Sequence, residues 1–259
     1  MKYYVISDIH GDIDGFNALI DKFNPEKEKL IFIGDLCSRG LYSFEILSKV
    51  KEIVEAGYGI CLKGNHEFMF LEFIKNPEIA REYISDYTGG SPTILSFCNQ
   101  LVHKGYDLTK ITNLKEITDL IRKEFMPLLK FIDNLPRYYE TKNYLFVHAG
   151  INSDATKVEE LDENVCIWGN GLKSYNNPHS FNKTIVFGHM PTQNIQNSNG
   201  SVFYSKSNKL LGIDGGGFLN DASASINSVI LSDNKNTKYI KNFRYYTHTK
   251  KIEVFKIPL

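Results

Sequence analysis

Short apolar runs alternate with amphipathic segments through the first 65 residues, and this alternation restricts the possible folds more than any other feature of the sequence. The apolar runs are Tyr3–Ile6, Leu30–Ile33 and Gly59–Leu62. Between them, Asp12–Phe23 and Phe44–Val54 place apolar side chains at helical spacing. Apolar strands separated by helices are typical of a buried, largely parallel sheet. The sequence therefore predicts an α/β fold.

The remainder of the chain predicts a helical segment followed by more strands. From about residue 68 to 137 the pattern is mostly helical, with a long helix over 114–135. Because this segment has no linker-like composition, we expect a single domain over 1–259 with a helical insertion between the third and fourth core strands. Later strands and a final antiparallel meander are predicted at 144–147, 184–187, 210–213 and 228–259.

The charge balance argues against several classes of protein. The 259 residues include 30 Lys and Arg against 30 Asp and Glu, so the formal net charge is zero. A chain without a basic surplus is a poor candidate for binding nucleic acid or an anionic membrane. No apolar run approaches the roughly 18 residues of a spanning helix, and Asp8 and His10 come too early for a signal peptide. We therefore expect a cytoplasmic protein without nucleic-acid or membrane partners.

The four cysteines are separated widely along the chain and form no Cys-x-x-Cys pair; they are Cys37, Cys61, Cys98 and Cys166. Their spacing does not suit a structural zinc site, and a disulfide framework is unusual in a chain of this size without an export signal. We expect all four to be reduced and mostly buried.

Each apolar strand ends directly in polar residues flanked by glycine. The motifs are Asp8-Ile9-His10-Gly11, Gly34-Asp35 with Arg39-Gly40, Gly64-Asn65-His66-Glu67, His148-Ala149-Gly150, Gly188-His189 and Asp214-Gly215. The carboxyl ends of strands in an open α/β sheet are where ligands bind. Glycine beside the polar residues permits tight turns and close approach of the backbone to a ligand. We therefore expect these side chains to form one site.

The chemistry of this set indicates a metal centre. Carboxylate and amide oxygens mixed with imidazole nitrogens suit Mn, Fe or Zn better than Ca or Mg. Two such ions held close together polarise a phosphoryl group and activate a water, and a carboxylate can bridge them. Arg39 adds a planar cation whose geometry matches phosphate oxygens.

Together these motifs resemble those of the calcineurin-like metallophosphoesterases. Within that superfamily the chain is most similar to the bacterial branch of the phosphoprotein phosphatases, the Ser/Thr protein phosphatase family. The segments 145–150 and 186–192 strengthen the likeness, and the motifs span residues 8 to about 217. The resemblance implies a four-layer α/β/β/α sandwich with the site at the sheet edges.

The resemblance also implies a role for each matching residue. Two divalent transition-metal ions are expected, with Mn²⁺ as the first choice and Fe or Zn as alternatives. His66 would be the general acid, and Arg39 and the Asn65 amide would hold the phosphoryl oxygens. The implied metal ligands are Asp8 and His10 for the first ion, Asp35 as the bridge, and Asn65, His148 and His189 for the second ion.

Two positions depart from the family pattern. The protein phosphatases carry a second Asp before the arginine of their Gly-Asp motif, and it orients the catalytic histidine; Ser38 stands there in this chain. A serine hydroxyl can hydrogen-bond an imidazole but cannot stabilise its charged form, so we expect His66 to be harder to protonate. Symmetrical dinucleoside-tetraphosphate hydrolases also lack that carboxylate. In the second departure, Asn170 replaces an arginine that clamps phosphate, which predicts weaker substrate binding.

Three functions remain open at this stage. The leading one is a Ser/Thr protein phosphatase-like enzyme that hydrolyses phosphate monoesters by in-line attack of a hydroxide shared by the two metals. The first alternative is a dinucleoside tetraphosphate hydrolase, and the second is a non-catalytic metal-binding pseudophosphatase. Substrates would be a phosphorylated protein or small molecule, and the oligomeric state is undetermined. Glu67 is expected to stabilise a helix start, while Asp214 could contact a metal-binding histidine or form a turn.

Overall fold

The computed structural model describes residues 1–152, 154–169, 179–195, 199–234 and 237–259 of the chain. Its α-helices are α1 (Ile13–Ile20), α2 (Ser43–Glu55), α3 (Asn65–Lys75), α4 (Ser91–His103), α5 (Leu114–Asp133) and α6 (Glu163–Trp168). Its strands are β1 (Lys2–Ile6), β2 (Glu28–Phe32), β3 (Gly59–Cys61), β4 (Tyr138–Glu140), β5 (Tyr144–Val147), β6 (Thr184–Phe187), β7 (Phe203–Ser205), β8 (Leu210–Gly212), β9 (Ser225–Ser232), β10 (Tyr239–Tyr246) and β11 (Lys251–Pro258).

These strands form two mixed sheets. The six-stranded sheet has the order β11-β10-β9-β1-β2-β3, and the five-stranded sheet has the order β4-β5-β6-β8-β7. Strands β1, β2 and β3 run parallel to one another, as do β5, β6 and β8. The predicted parallel core is confirmed, and the final meander joins it as β9, β10 and β11, which pair in antiparallel fashion.

The sheets stack face to face between helical layers. One apolar cluster between the sheets contains Val5 and Ile31 from the first and Phe146 and Val186 from the second. A second cluster lies between the six-stranded sheet and α1 to α5, and a third covers the outer face of the five-stranded sheet. The four-layer sandwich is confirmed. In the described part of the chain its fourth layer is thin, because α6 has six residues and is accompanied by short 3₁₀ turns.

The helices between β3 and β4 pack together beside the edge of the sheet. Phe97 packs against Phe70 and Phe125 of these helices and against Phe44 of α2, with ring centres 5.0–5.4 Å apart. Helix α5 contains Pro127 and has non-helical backbone angles at Phe125, as expected where proline removes a helical hydrogen bond.

The cysteines and the helices were compared with the expectations from composition. The described cysteines form no disulfide, and three of the four are buried. Within the described ranges, no helix combines the length and apolarity needed to cross a membrane.

Candidate metal centre

The loops that follow the parallel strands hold their polar residues in a strained backbone conformation. Left-handed φ angles occur at Asp8 (53°), His10 (49°), Asp35 (55°), Ser38 (71°), Arg39 (70°) and His189 (64°). Residues other than glycine rarely adopt such angles, and each costs about 1–3 kcal/mol. In the described part of the chain only Lys209 and Lys250 share this conformation elsewhere. The strain is therefore concentrated where the strand ends meet.

Asp35, directly after β2, is the centre of the site. Its Oδ1 lies 3.3 Å from Nε2 of His148. Its Oδ2 lies 3.7 Å from Nε2 of His10 and 3.9 Å from Nε2 of His66. The two carboxylate oxygens thus face opposite sides of the site. Oδ2 faces a first group of side chains that contains His10 and His66, and Oδ1 faces a second group that contains His148. A ligand shared by two ions is expected to have this arrangement.

The amide oxygen of Asn65, at the start of α3, completes the second group. It lies 3.0 Å from Nε2 of His148 and 2.9 Å from Nδ1 of His189. The ligand atoms of Asp35, His148 and His189 all lie within 4.8 Å of one another, and the same holds for His10, Asp35 and His66. Five of the six predicted ligands, Asn65 included, therefore meet around Asp35.

Hydrogen bonding shows that this donor set suits cations. Nδ1 of His148 lies 2.7 Å from the carbonyl oxygen of Ile33, which can only accept, so Nδ1 carries the proton. A neutral His148 then presents the lone pair of Nε2 to the oxygens of Asn65 and Asp35. Opposed lone pairs in a buried site are unfavourable unless a proton or a metal ion lies between them. His10 repeats the pattern, with Nδ1 3.0 Å from the Cys37 carbonyl and Nε2 facing Asp35.

The pKa of His148 responds to the same arrangement. Burial lowers this pKa, but the negative charge of Asp35, followed by that of Asp8, outweighs burial and raises it to about 10. For His10, burial and the neighbouring His66 lower the pKa well below the ordinary value. Without a metal ion the carboxylates therefore favour a proton on Nε2 of His148, at the position that a cation would take, whereas the neutral form of His10 is favoured.

Asp8 lies beside the two groups and belongs to neither of them. Its carboxylate accepts the backbone N–H of His189, at 3.0 Å to Oδ1, and the hydroxyl proton of Ser7. A Cβ at Gly188 would collide with Ser7 and Asp8, so only glycine permits this approach. In this arrangement the carboxylate of Asp8 ties the loop after β6 to the end of β1.

Glu67 connects two loops of the site, which is a larger role than the stabilisation of a helix start expected from the sequence. Its carboxylate accepts backbone N–H groups from Asp35 (2.8 Å), Leu36 (2.8 Å), Cys37 (3.3 Å) and Gly64 (2.9 Å). The side chain therefore joins the loop after β2 to the start of α3. The bond to Gly64 caps the start of α3, the helix start at which the sequence places Glu67, whereas the three bonds to the other loop depend on tertiary contact.

Arg39 is held flat and without a carboxylate partner in the described part of the chain. Its guanidinium lies 3.7 Å from the ring centroid of Phe218, and its buried Nε has no hydrogen-bond partner among the described residues. Phe218 also contacts His10 edge to face at 5.1 Å. A planar cation that is free of ion pairs is suited to bind an oxyanion. No motif in the sequence indicates a role for Phe218.

Ser38 does not take the place of the missing carboxylate. Its hydroxyl donates to Tyr83 at 3.2 Å, and its backbone N–H donates to Thr93 at 2.8 Å. The hydroxyl does not bond the imidazole, because Nδ1 of His66 is buried without a hydrogen-bond partner in the described chain. Burial, followed by the charges of Arg39 and His148, lowers the pKa of His66, with Asp35 opposing. The neutral form of the His66 imidazole is therefore favoured over the protonated form.

Asp214 forms a turn, which is one of the two roles expected for it from the sequence. Its Oδ1 accepts the backbone N–H of Gly216 at 2.7 Å, and its Oδ2 is buried without a partner in the described residues. Burial, with a contribution from Asp35, raises its pKa to about 7. The position of the missing clamp, Asn170, lies outside the described residues.

A cavity of about 630 Å³ opens over the site. Its polar wall consists of His10, Asp35, Arg39, Asn65, His66 and His189. Its apolar wall includes Phe68, Met69, Trp168, Met190, Pro191 and Phe218. Polar groups that converge at one side of an apolar cleft are typical of a ligand site.

The chain matches a known family over most of its length. Residues 1–215 match the family model described as calcineurin-like phosphoesterase. A symmetrical bis(5'-nucleosyl)-tetraphosphatase of Pseudomonas syringae is 26% identical over 156 residues, which is 58% of this chain and 42% of that protein. An asymmetrical bis(5'-nucleosyl)-tetraphosphatase of Anoxybacillus flavithermus is 28% identical over 166 residues, 60% of this chain and 59% of that protein.

A solved structure also shares the fold. The crystal structure of a candidate diadenosine tetraphosphatase has a TM-score of 0.56 at 14% identity, and the match covers 99% of this chain and 93% of that one. At this identity the likeness concerns the fold alone. The curated relatives named above match this chain over 42% and 59% of their own lengths.

Proposed function

Because the chain belongs to the calcineurin-like phosphoesterase family, we propose that it is a metal-dependent hydrolase that cleaves phosphoric anhydrides of the dinucleoside polyphosphate class. The substrate class is supported by one observation: Ser38 pairs with Tyr83, and Nδ1 of His66 has no partner among the described residues, so no carboxylate there stabilises the protonated imidazole. A hydrolase with a weak general acid needs a substrate whose leaving group departs without being protonated.

The residues fit the two divalent ions on which the family depends. We assign His10 and Asp35 to one ion, with Asp8 alongside, and Asp35, Asn65, His148 and His189 to the other. The mixed nitrogen and oxygen ligands favour Mn²⁺, with Fe or Zn as alternatives. Bound ions supply Lewis-acid polarisation of a phosphoryl group and lower the pKa of water.

The chain's own side chains bind and orient the substrate. Arg39 presents two guanidinium nitrogens to phosphoryl oxygens, held in plane by Phe218. Asn65 and His66 follow each other at the start of α3 and line the same cavity. His66 stands where it can hydrogen-bond a departing oxygen through Nε2, which faces Asp35 at 3.9 Å. Burial lowers the pKa of this imidazole, so less of it carries the proton that a general acid must donate.

The leaving group then decides between substrate classes. A phosphoserine ester expels an alkoxide, which needs a proton from the enzyme, whereas an anhydride expels a phosphate that is stable as an anion. General acid catalysis is worth about 10²–10⁴-fold. Loss of general acid catalysis has little effect on the cleavage of an anhydride, because the leaving phosphate is stable as an anion. The tetraphosphatases among the relatives support the same choice.

A phosphoprotein is the second candidate substrate. The cavity is also lined by the carboxylates of Glu72 and Glu82, which suit basic residues beside a phosphorylated serine. A non-catalytic metal-binding protein is disfavoured, because His66 and the metal-site donors around Asp35 are all present.

The test is a rate comparison on Mn²⁺-reconstituted protein. We expect kcat/KM for diadenosine tetraphosphate to exceed that for a phosphoserine peptide by 100-fold or more. Asp35→Asn should abolish both activities, and the exposed Asp14→Asn should leave them unchanged. A preference for the phosphopeptide would replace the proposal with the second candidate. Turnover of neither substrate, nor of an aryl phosphate, would overturn both.

A further inference from the structure

We propose that Trp168 and Phe68 form the stacking site for a nucleobase of the substrate, and this inference rests on the proposed function. The two rings lie 6.2 Å apart and are nearly perpendicular, with an interplanar angle of 81°. Both line the cavity that contains the metal-site residues. The site takes a neutral heteroaromatic ring and leaves the phosphates to Arg39 and Asn65.

Helix α3 connects the two parts of the cavity. Asn65, Phe68, Met69 and Glu72 follow the i, i+3, i+4, i+7 spacing of one helix face, and all four line the cavity. Phe68 lies one helical turn beyond Asn65, a rise of about 4.5 Å along the axis. A nucleotide whose phosphate lies at Asn65 therefore extends its sugar and base along this face toward Phe68.

Trp168 is the ring that remains open to a ligand. It is 40% exposed although it lines the cavity, and it ends α6, where it packs edge to face with Phe68. An edge-to-face pair leaves aromatic surface uncovered. An exposed tryptophan beside a metal centre has no structural role in the described contacts other than this one pairing.

The other aromatic side chains of the cavity are less suitable. One face of Phe218 is covered by the guanidinium of Arg39. Tyr83 is 2% exposed and its hydroxyl is bonded to Ser38. Tyr87 is 87% exposed, so it has little support from its neighbours. Trp168 alone combines access with a packed neighbour among the described residues of the cavity.

Charge separates the phosphate end of the cavity from the base end. Arg39 lies with His10 and Phe218 at the metal side. Glu72 follows Phe68 by one turn and carries a negative charge at the cavity wall, where it disfavours phosphate. A neutral base fits beside it, and its exocyclic amine can donate to the carboxylate.

The test uses the fact that Trp168 is the single tryptophan of the chain. With Mn²⁺-loaded protein, AMP should quench the intrinsic fluorescence, whereas ribose 5-phosphate at the same concentration should not. Stacking of a base on an aromatic ring is worth about 1–3 kcal/mol, so Trp168→Leu should raise KM for diadenosine tetraphosphate about 5- to 150-fold. KM for inorganic tripolyphosphate, which has no base, should change less than two-fold.

Two controls complete the design. Trp168→Phe should restore most of the affinity, and Tyr58→Leu, at an exposed tyrosine outside the cavity lining, should change neither KM. Equal increases in both KM values after Trp168→Leu, or equal quenching by AMP and ribose 5-phosphate, would overturn the stacking site while hydrolysis of the tetraphosphate still supports the proposed function. Selective quenching by AMP without tetraphosphate hydrolysis would support the stacking site and overturn that function.

Discussion

The hydroxyl of Ser38 lies 3.2 Å from the phenol oxygen of Tyr83, and Nδ1 of the His66 imidazole is buried without a hydrogen-bond partner among the described residues. His66 is positioned through its backbone N–H, which donates to Oδ1 of Asp35 at 3.0 Å, and through edge-on packing against His10 at 4.8 Å. Packing and the start of α3 therefore fix the ring. The serine stabilises the loop after β2 against the helical insertion.

Ser38→Ala tests this separation of roles. We expect the free energy of unfolding to fall by about 1 kcal/mol, because a buried hydrogen bond to Tyr83 is lost. The ratio of kcat/KM for an alkyl phosphate to kcat/KM for diadenosine tetraphosphate should stay within about two-fold of the natural protein. A fall of that ratio by ten-fold or more would show that Ser38 does act on His66. His66→Asn is the positive control: it removes the general acid, so it should lower this ratio.

Phe218→Leu is expected to weaken binding of the phosphate moiety. The centre of the Phe218 ring lies 3.7 Å from the Arg39 guanidinium. This contact shields one face of the cation from water and fixes the orientation of the guanidinium. Contacts between a cation and an aromatic face contribute about 0.5–2 kcal/mol. We expect KM for tetraphosphate and for tripolyphosphate to rise about 2- to 30-fold together, with kcat affected less. An effect on tetraphosphate alone would point to base binding by Phe218 instead.

Glu67→Gln is expected to damage both stability and metal binding. The carboxylate accepts four backbone N–H groups, and an amide can accept at one oxygen only. Two buried donors would lose their acceptor, at about 1–3 kcal/mol each. Because Asp35 is one of the residues held, Mn²⁺ affinity should fall about 10- to 100-fold. Chemical denaturation and calorimetric titration measure the two effects.

Glu72→Gln is the matched control for this prediction. Glu72 lies on the same helix, with its carboxylate exposed and 3.0 Å from Lys75. Loss of such a surface pair changes stability by less than about 1 kcal/mol. If Glu72→Gln and Glu67→Gln had equal effects, the role assigned to the four buried bonds would be wrong.

The sequence could indicate which residues of the candidate metal site lie together, because their positions follow from local pattern. A polar residue at the end of an apolar strand must lie at the sheet edge, whichever strands pair. This reasoning located His10, Asp35, Asn65, His148 and His189, which the structure brings together. The helices were also predictable, since α2 and α4 have clear amphipathic spacing.

What the sequence could not predict depends on contacts between distant segments. The partner of Ser38 is Tyr83, 45 positions away, and that of Arg39 is Phe218. Strands β4 and β7 have three residues each and show no usable alternation. They exist because their neighbours β5 and β8 offer unpaired edges.

Asp214→Asn should change the pH dependence of stability in the metal-free protein. The pKa of this buried carboxyl is raised from an ordinary value of 3.8 to about 7, so the folded state holds a proton that the unfolded chain releases. The resulting stability is present below pH 3.8 and is lost as the pH rises through 7. Asparagine keeps the acceptor for Gly216 and removes the charge. We expect Asp214→Asn to stabilise the chelator-treated protein by roughly 2–4 kcal/mol at pH 8.

That gain should shrink as the pH falls and should be small near pH 4, where the natural carboxyl is protonated in both states. Urea denaturation at several pH values measures it, with metal removed by chelation. Asp14→Asn is the control, because this exposed residue on α1 pairs with the exposed Lys250, and loss of such a surface pair should change stability by less than about 1 kcal/mol at each pH. A gain from Asp214→Asn that is independent of pH would mean that its carboxyl is ionised in the folded protein throughout, with a partner for Oδ2 supplied by solvent.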